Sequence, residues 1–483
     1  MDKNNDLNVF FNPKSVAVIG ATDRPGSWGS IIMESLCSDR YSGKIYAVNR
    51  QAKVIYGIQT IRDVREISGP VDLVVFTIPE QAVEEMVRAC GQKQVKGIVI
   101  ITAGYSETSE TGREREKDLV NLARTFGIRL LGPNVSGLFN LHADFKATST
   151  RAKSPVSSPI AAISQGGFAF HDLLTSGALR GMGVGKFVHT GNECDLTVTD
   201  FLETFRDDPE VDAILMYLET IRDGRRFMTV ARQVAKNKPV VIYKAGRTTS
   251  GARAARSHTG ALAGENEIYN SLFHQLGIIV SPTMELLLPI GHALLERPIM
   301  SGRRVAIFTM GGSWGVILSD SLEEAGLLVP ELSDKLQKHL RSFGTPERAS
   351  VKNPIDVGAI AGPIPPAETV LAFGREILSS GEVDALVFHG MGGPVMLDEG
   401  EPNRLLAVLE FEKKMMKAFH ELEKETQIPV LLGTHFTQWE SQAVSDLSAE
   451  GIRSYNDIQD IVQILSVMHQ FGQYSLNRSR AGK

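Results

Sequence analysis

The sequence has few cysteines, no cluster of basic residues and no long uninterrupted apolar run. Its 483 residues include three cysteines, Cys37, Cys90 and Cys194, whose spacing fits neither a disulfide framework nor a metal site. With a net charge of −5 and no stretch rich in lysine or arginine, nucleic acid is not expected as a partner. The most apolar segment, near residues 277–295, is interrupted by two prolines and a glutamate, so it is too broken for a membrane span.

The amino terminus also lacks the cationic-then-apolar pattern of a secretion signal. Together with the sparse cysteines, this pattern predicts a protein of the reducing cytoplasm that does not associate with a membrane. With 42% apolar and 22% charged residues, the composition is that of an ordinary globular protein. A length of 483 residues corresponds to roughly three domains at about 150 residues each.

Short β-branched runs alternate with helix-length segments along the whole chain, and this alternation predicts parallel sheets with crossover helices. The first set, from SVAVIG to IRLLGPN, makes a complete Rossmann-like unit. A polar stretch at 147–159 and the segment 296–304 are predicted linkers. We therefore expect an α/β protein with three domains, over residues 8–145, 155–297 and 302–475.

Ligands bind at the carboxyl ends of the strands in open parallel sheets, so the turns at those ends are candidate sites. The turn at 20–29 is rich in glycine, which lets the backbone approach a phosphate. It lacks the spacing of an NAD fingerprint, because Gly20 and Gly26 are too far apart. The second strand ends in Asn49 and Arg50 rather than in an acidic residue, and an arginine suits a phosphorylated ribose.

Neighbouring strand ends in the first set carry further small or polar residues. They include Thr77, Ile78 and Pro79, then Ala103 and Gly104, and finally Gly132, Pro133 and Asn134. Since all of these strand ends share one sheet edge, they outline one cleft. Nucleotide-type phosphate binding without nicotinamide is the favoured interpretation, and a tight strand-to-helix connection with a solvated Arg50 is the alternative.

The second set offers a candidate anion site. The turn Ser164-Gln165-Gly166-Gly167 follows the strand IAAIS and opens a helix, so its N–H groups and a hydroxyl can face one anion. A simple helix cap by Ser164 is the alternative. Another strand of this set ends in Glu219, a carboxylate that can orient an imidazole or pair with a nearby arginine as ordinary surface charge.

His258 is the candidate nucleophile. It lies in TTSGARAARSHTGALAG, residues 248–264, which we expect to form a mobile loop because small residues restrict the backbone little. Imidazole is the side chain whose ordinary pKa leaves it nucleophilic near neutral pH. A surface histidine in a flexible loop is the alternative.

Taken in order, the motifs VIGATDRPGSWG, IYAVNR, ITAGYSET, LLGPN, AAISQGG, ILMYLETIRDGRRF and ARSHTGALAG resemble those of the nucleoside-diphosphate-forming acyl-CoA synthetases. Within that family they are most similar to the alpha subunits of ADP-forming acetyl-CoA synthetase, relatives of succinyl-CoA ligase. The resemblance covers nearly the whole chain. It implies a Rossmann-like CoA-binding domain followed by two flavodoxin-like domains of the succinyl-CoA-ligase type.

The resemblance also implies roles for individual residues. His258 would carry a phosphoryl group and Glu219 would hold it, while Ser164, Gly166 and Gly167 would bind the phosphate. Asn134 would lie near the thioester of the substrate. The residues implied to bind CoA are Thr22, Gly26, Ser27, Trp28, Gly29, Asn49, Arg50, Ile78, Pro79, Ala103 and Gly104. No metal-binding residue is implied.

The implied reaction converts acyl-CoA, ADP and phosphate reversibly into a carboxylic acid, CoA and ATP through acyl phosphate and phosphohistidine. The sequence has no glycine-rich hairpin with the lysine and paired carboxylates of an ATP-grasp site. ATP or ADP and Mg²⁺ are therefore expected mainly on an ATP-grasp beta subunit, most simply in an α2β2 assembly. The substrates that the resemblance implies are a small carboxylic acid and its acyl-CoA.

Two departures from the family pattern are visible. Gly166 stands where the family commonly has a serine, and the bulky Met310 and Trp314 lie in the glycine-rich turn of the third set. The alternative function is a catalytically silent CoA-binding regulatory paralogue. An NAD-linked dehydrogenase is disfavoured by Asn49 and by the wide spacing of the glycines.

Overall fold

The computed structural model describes residues 7–38, 40–150, 156–259, 266–345, 347–359, 366–393 and 402–481. The chain divides into two compact units. The first consists of Met1–Ala178 and Met182–Gly291, and the second of Leu179–Gly181 and His292–Lys483.

The first sheet of the first unit has five parallel strands in the order β2-β1-β5-β6-β7. They are β1 (Ser15–Ile19), β2 (Lys44–Val48), β5 (Leu73–Phe76), β6 (Gly97–Ile100) and β7 (Arg129–Leu131). The hairpin of β3 (Val54–Ile55) and β4 (Ile58–Gln59) and the helices α1 (Asn8–Phe11), α2 (Trp28–Cys37), α3 (Val83–Gln92) and α4 (Glu110–Thr125) accompany them. Because the chain continues from β1 to β2 on one side and later to β5 on the other, the carboxyl end of β1 is the switch point at which such sheets bind ligands.

A second sheet of seven strands follows, in the order β14-β13-β12-β10-β11-β8-β9. Its strands are β8 (Gly137–Asn140), β9 (Phe145–Thr148), β10 (Ile160–Ser164), β11 (Lys186–His189), β12 (Ala213–Leu218), β13 (Val240–Lys244) and β14 (Ile279–Val280). The helices are α5 (Phe168–Leu179), α6 (Val198–Arg206), α7 (Gly224–Val234), α8 (Thr249–Thr259), α9 (Asn266–Leu276) and α10 (Leu287–Glu296). The antiparallel pair β8 and β9 extends an otherwise parallel sheet, since β8 runs antiparallel to β11.

The second unit contains a parallel sheet in the order β16-β15-β17-β18-β19. Its strands are β15 (Val305–Thr309), β16 (Ile355–Asp356), β17 (Ala385–His389), β18 (Val430–Gly433) and β19 (Ser454–Tyr455). Its helices are α11 (Gly312–Glu324), α12 (Asp334–Arg341), α13 (Ala367–Ser379), α14 (Pro402–Thr426), α15 (Gln442–Ala449) and α16 (Ile458–Ala481).

The predicted α/β class with parallel sheets is confirmed. The central strands β1, β5, β6, β10 and β15 are buried at every position, because helices cover both faces of a parallel sheet. None of the helices in the described part of the chain combines the length and apolarity needed to span a membrane.

The prediction of a mobile loop around His258 is wrong over most of that segment, because helix α8 occupies Thr249–Thr259. The helix begins where the hydroxyl of Thr248 accepts a hydrogen bond from the N–H of Gly251, at 3.1 Å. The run GARAARS explains the difference, since alanine and arginine are strong helix formers. The residues 260–265 at the end of the predicted loop lie outside the described residues.

Candidate active site

Two glycines in close contact set the shape of the turn after β1. Gly20 has a φ of 94°, a left-handed conformation that glycine adopts without penalty. A Cβ on Gly29, in the first turn of α2, would lie 2.1 Å from the carbonyl oxygen of Gly20. The amino terminus of α2 can therefore approach the turn closely only because both positions are glycine.

Ser27 closes the same turn. Its hydroxyl donates to the carbonyl of Arg24 at 2.7 Å and accepts from the N–H of Ser30 at 3.3 Å, which caps α2. The hydroxyl of Thr22 accepts from the N–H of Arg24 at 3.2 Å. Gly26 has a φ of 79°. These residues fix the turn that carries Trp28, whose side chain is 46% exposed.

Asn49 fastens the segment after β2 to that turn. Its Nδ2 donates to the carbonyl of Ala21 at 2.8 Å. Its Oδ1 accepts from the N–H groups of Gln51 and Ala52, at 2.7 and 2.9 Å. The structure thus gives Asn49 a clear role in shaping the cleft, and contact with CoA remains a prediction.

A cavity of about 250 Å³ lies between these segments, and Asn49, Arg50 and Arg62 line it together with Asp63 and Glu85. Arg50 and Glu85 are 3.7 Å apart and both largely exposed, an ion pair worth about 0–1 kcal/mol. A phosphate can therefore compete for Arg50 at little energetic cost. Two arginines and two carboxylates line the cavity, so it offers guanidinium groups to an anionic nucleotide but its wall carries no net positive charge.

A larger cavity, of about 480 Å³, is bordered by turns from both sheets of the first unit. It shares Ile78 and Pro79 with the smaller cavity. Of the predicted site residues, Trp28, Ile78, Pro79, Ala103, Asn134 and Gly167 line it, and Thr77, Ile101, Thr102, Val135, Ser136, Gln165, Phe168, His189, Gly191 and Asn192 line it as well. The structure therefore places residues predicted to bind CoA around the same cavity as the turn at residues 164–167. Because phosphate is predicted to bind there, this turn is called the phosphate turn below.

Other predicted residues lie outside the walls of these two cavities. Among the described residues they are Thr22, Gly26, Ser27, Gly29, Gly104, Ser164, Gly166 and Glu219. Most of them belong to the turns that carry the lining residues. In the described part of the chain, no group of three or more histidine, cysteine, aspartate or glutamate side chains is arranged to hold a metal ion.

The carbonyl groups of the turn between β10 and α5 are all engaged by hydrogen bonds. That of Ser164 accepts from the N–H of Thr190 at 2.8 Å, and that of Gln165 lies 3.1 Å from Nε2 of His189. The carbonyl of Gly166 accepts from the Ser164 hydroxyl at 2.5 Å. Because a carbonyl and the following N–H point in opposite directions across a trans peptide, the N–H groups of Gly166 and the next residue point away from these partners.

The two glycines of this turn pack against aromatic rings. A Cβ on Gly166 would lie 2.8 Å from Cε1 of Tyr217, and a Cβ on Gly167 would lie 3.1 Å from Cε1 of His189. A serine at position 166 would therefore require the Tyr217 ring to shift. This contact gives a local reason for glycine at position 166.

Gln165, which the sequence reasoning did not single out, links the turn to Glu219. Its Oε1 accepts from the N–H groups of Glu219 and Thr220 at 2.7 and 3.0 Å, and its Nε2 donates to the carbonyl of Thr220 at 3.0 Å. Glu219 is buried, and its Oε1 lies 3.4 Å from the hydroxyl of Tyr217. The carboxylate is thus placed beside the phosphate turn rather than on the surface.

A buried lysine behind Glu219 was also missed. Lys244 ends β13 and donates to the carbonyls of Glu219 and Ala245 at 2.8 and 2.5 Å. Its Nζ lies 4.6 Å from the ring centre of Tyr269. Burial lowers the pKa of Lys244 to about 8, while the charge of Glu219 acts in the opposite direction. The sequence did carry a signal for this residue, since a lysine at the carboxyl end of a predicted strand is a candidate site residue.

The backbone of His258 is part of α8, but its side chain lies outside the part of the chain that the structure describes. Its roles as phosphoryl carrier and as the partner of Glu219 therefore stay predictions.

Asn134 belongs to a network that reaches the half-buried carboxylate of Glu107 and the buried carboxylate of Glu116. Its Nδ2 lies 3.3 Å from Oδ1 of Asn192, whose own Nδ2 donates to Glu107 and, at 2.7 Å, to Glu116. Burial raises the pKa of Glu107, but hydrogen bonds from the N–H of Gly104 and from Asn192 outweigh it and hold that pKa below its ordinary value. Asn134 is thus held at the cavity wall through Asn192, which the carboxylates of Glu107 and Glu116 fix from behind.

Comparison with known protein families identifies two segments of the chain. Residues 14–140 match the CoA binding domain, and residues 157–294 match the succinyl-CoA ligase like flavodoxin domain. These matches agree with the fold class predicted from the sequence.

Among related sequences, the alpha subunit of acetate–CoA ligase [ADP-forming] II of Pyrococcus furiosus is 42% identical over 356 residues, covering 74% of this chain and 77% of the relative. The alpha subunit of isoenzyme I from the same organism is 40% identical over 362 residues, with the same coverage. Among solved structures, dinucleotide forming acetyl-coenzyme A synthetase 1 of Ca. Korarchaeum cryptofilum, in complex with phosphate and ADP, matches with a TM-score of 0.85 and 31% identity, over 99% of both chains.

Proposed function

Because this chain belongs to the nucleoside-diphosphate-forming acyl-CoA synthetases, an acid–thiol ligase family related to succinyl-CoA ligase, we propose that it is the alpha subunit of such an enzyme. The reaction converts acyl-CoA, ADP and phosphate reversibly into a carboxylic acid, CoA and ATP. The observation that carries the proposal is the single cavity that both Asn134 and the turn at Gly167 line.

The reaction proceeds in three steps. An oxygen of phosphate attacks the thioester carbonyl, and CoA leaves as the thiolate, which gives an acyl phosphate. The imidazole of His258 then attacks phosphorus and the carboxylate leaves. Phosphohistidine finally transfers its phosphoryl group to ADP, which forms ATP. Each step breaks one bond to carbon or phosphorus and forms one.

The chain's residues divide this work. The turn with Trp28 and the small cavity with Arg50 hold CoA, and Asn134 orients the thioester carbonyl. The N–H groups of Gly166 and Gly167, at the amino terminus of α5, stabilise the charge of the phosphate. Burial and the Gln165 clamp support Glu219 as the group that fixes the tautomer of His258.

We further propose that an ATP-grasp beta subunit supplies the site for ATP or ADP and Mg²⁺, in an α2β2 assembly in the cytoplasm. The names of the P. furiosus relatives as alpha subunits support a second polypeptide. The domain boundaries 8–145, 155–297 and 302–475 belong to the same proposal.

Labelling with radioactive ATP in the presence of the beta subunit tests the phosphohistidine. Acid-labile, base-stable label is expected on the wild-type chain and on His274→Asn, which changes an exposed histidine on α9. The His258→Asn variant should take up no label, because it lacks the nucleophile. Label on His258→Asn would refute the assignment, and CoA binding without any labelling of the wild type would favour the silent regulatory paralogue.

A further inference from the structure

One buried histidine, His189 at the end of β11, bridges the two sides of the large cavity. Its Nδ1 lies 2.8 Å from the backbone nitrogen of Ser136 and 3.0 Å from the hydroxyl of that residue. Its Nε2 lies 3.1 Å from the carbonyl oxygen of Gln165. One side of the ring therefore contacts the segment that follows Asn134, and the other contacts the phosphate turn.

The chemistry of these partners fixes the tautomer of His189. A backbone N–H can only donate, so Nδ1 must accept from Ser136. A carbonyl can only accept, so Nε2 must carry the proton that points at Gln165. The ring is therefore neutral, and both contacts depend on this one protonation state.

A second histidine, His171 on α5, joins the network through Ser136. The hydroxyl of Ser136 lies 3.0 Å from Nε2 of His171. Burial lowers the pKa of His171 to about 4, against the opposing charge of Asp172. His171 is thus neutral near pH 7. Its side chain bonds to Ser136, and its backbone N–H donates to the carbonyl of Gly167 at 3.2 Å, a bond of the first turn of α5 that a side-chain substitution leaves in place.

The contact between ring and turn is also steric. A Cβ on Gly167 would lie 3.1 Å from Cε1 of His189, so the ring rests directly on the glycine at the start of α5. Through Gln165, whose side chain holds the N–H of Glu219 at 2.7 Å, the same turn is tied to the carboxylate.

We propose that His189 is a positioning residue that sets the distance between the thioester, held beside Asn134, and the phosphate, held at Gly166 and Gly167. This inference rests on the proposed function. Attack of phosphate on the thioester needs the reacting atoms within about 3–3.5 Å, and a neutral ring with one acceptor and one donor holds both segments in register. Both ring nitrogens of His189 have protein partners, so we assign the ring a positioning role and no part in the bond changes.

Two amide variants separate the contacts. In His189→Asn the side-chain oxygen can take the place of Nδ1 but no donor reaches Gln165. In His189→Gln the side-chain nitrogen can take the place of Nε2, but the acceptor for the Ser136 N–H is lost. Loss of one hydrogen bond corresponds to roughly a three- to tenfold effect. His189→Asn should therefore raise KM for phosphate by that factor and leave KM for acyl-CoA within about twofold, and His189→Gln should do the reverse.

The assay uses the complex with the beta subunit, acetyl-CoA or another accepted acyl-CoA, inorganic phosphate and ADP. His171→Gln is the control, and both of its KM values should stay within about twofold of wild type. A packing role alone would raise both KM values together in each of the two His189 variants, and that pattern would overturn the inference, as would the same split in His171→Gln.

A milder variant covers the case in which neither amide variant folds. Gly167→Ala presses on the ring without removing a hydrogen-bonding group, so KM for phosphate should rise and KM for acyl-CoA should stay unchanged. An unchanged KM for phosphate would overturn the inference. If the wild-type complex turns over no acyl-CoA at all, the proposed function fails. That outcome differs from failure of the present inference, because the wild type and every variant would then be equally inactive.

Discussion

Replacing Gly29 by alanine tests whether the close approach of α2 to the first turn forms the CoA side of the cleft. The new Cβ would lie 2.1 Å from the carbonyl oxygen of Gly20 and 3.1 Å from Cγ2 of Thr22. Non-bonded heavy atoms meet at roughly 3.5 Å, so either the turn or the helix must move by more than about 1 Å. The nearest atom is backbone, so no side-chain rotation relieves the contact.

Two opposing free energies set the expected result for Gly29→Ala. Alanine in place of glycine favours a helix by up to about 1 kcal/mol, and forced overpacking costs about 1–3 kcal/mol, or more against a rigid neighbour. We expect net destabilisation of about 2 kcal/mol. CoA affinity should fall at least about tenfold, or 1.4 kcal/mol, because the displaced turn carries Trp28 at the cavity wall.

The assay combines urea unfolding with calorimetric titration of CoA. Gly224→Ala is the matched control, since Gly224 begins α7 and a Cβ there would meet no atom within 4 Å. The control should leave CoA affinity unchanged and stability unchanged or slightly higher. Equal behaviour of the two variants, or unchanged CoA affinity in Gly29→Ala, would refute the reasoning.

Two further outcomes follow from single side chains. Arg50→Ala should weaken CoA binding, measured by calorimetry, by roughly 1–3 kcal/mol. The control Arg88→Ala, on the exposed face of α3, should leave CoA binding unchanged. NAD should not raise the unfolding temperature of either variant. Burial, then the charge of His435, lowers the pKa of His389 to about 4, so the unfolded chain, with a pKa near 6.5, binds the proton first as the pH falls. The free energy of unfolding should therefore fall between pH 6.5 and 4, by up to about 3 kcal/mol. Over that range the urea midpoint of His389→Phe should fall less than that of the wild type, and an equal fall in both proteins would contradict this prediction.

The sequence was informative wherever a local pattern determines the structure. The buried run at Ser15–Ile19 and its glycine-rich turn predicted a parallel strand followed by a ligand-binding edge, and the sheet order places β1 at that switch point. The motifs around Asn134 and Gly167 indicated turns at strand ends, and both turns border one cavity. Periodicity and turn chemistry are properties of neighbouring residues, so they can be read without coordinates.

Contacts between distant residues could not be predicted in this way. Gln165 holds the N–H of Glu219 across 54 positions, and Ser136 holds His189 across 53. These pairs meet because parallel pairing aligns Ser164 with both His189 and Tyr217, and a sequence without strand register does not specify such an alignment. Helix α8 was missed for a different reason, since small residues were interpreted as loop formers although alanine favours a helix.

The glycine at position 166 shows why the loss of a family serine need not remove anion binding. The carbonyls of Gln165 and Gly166 are occupied by His189 and by the hydroxyl of Ser164, so the orientation of both peptide groups is set before any ligand arrives. In the proposed reaction the donors to phosphate are the N–H groups of those peptides, which no side-chain substitution removes. Preorganised backbone dipoles need little rearrangement as charge develops, and the Tyr217 ring occupies the space that a serine side chain would need.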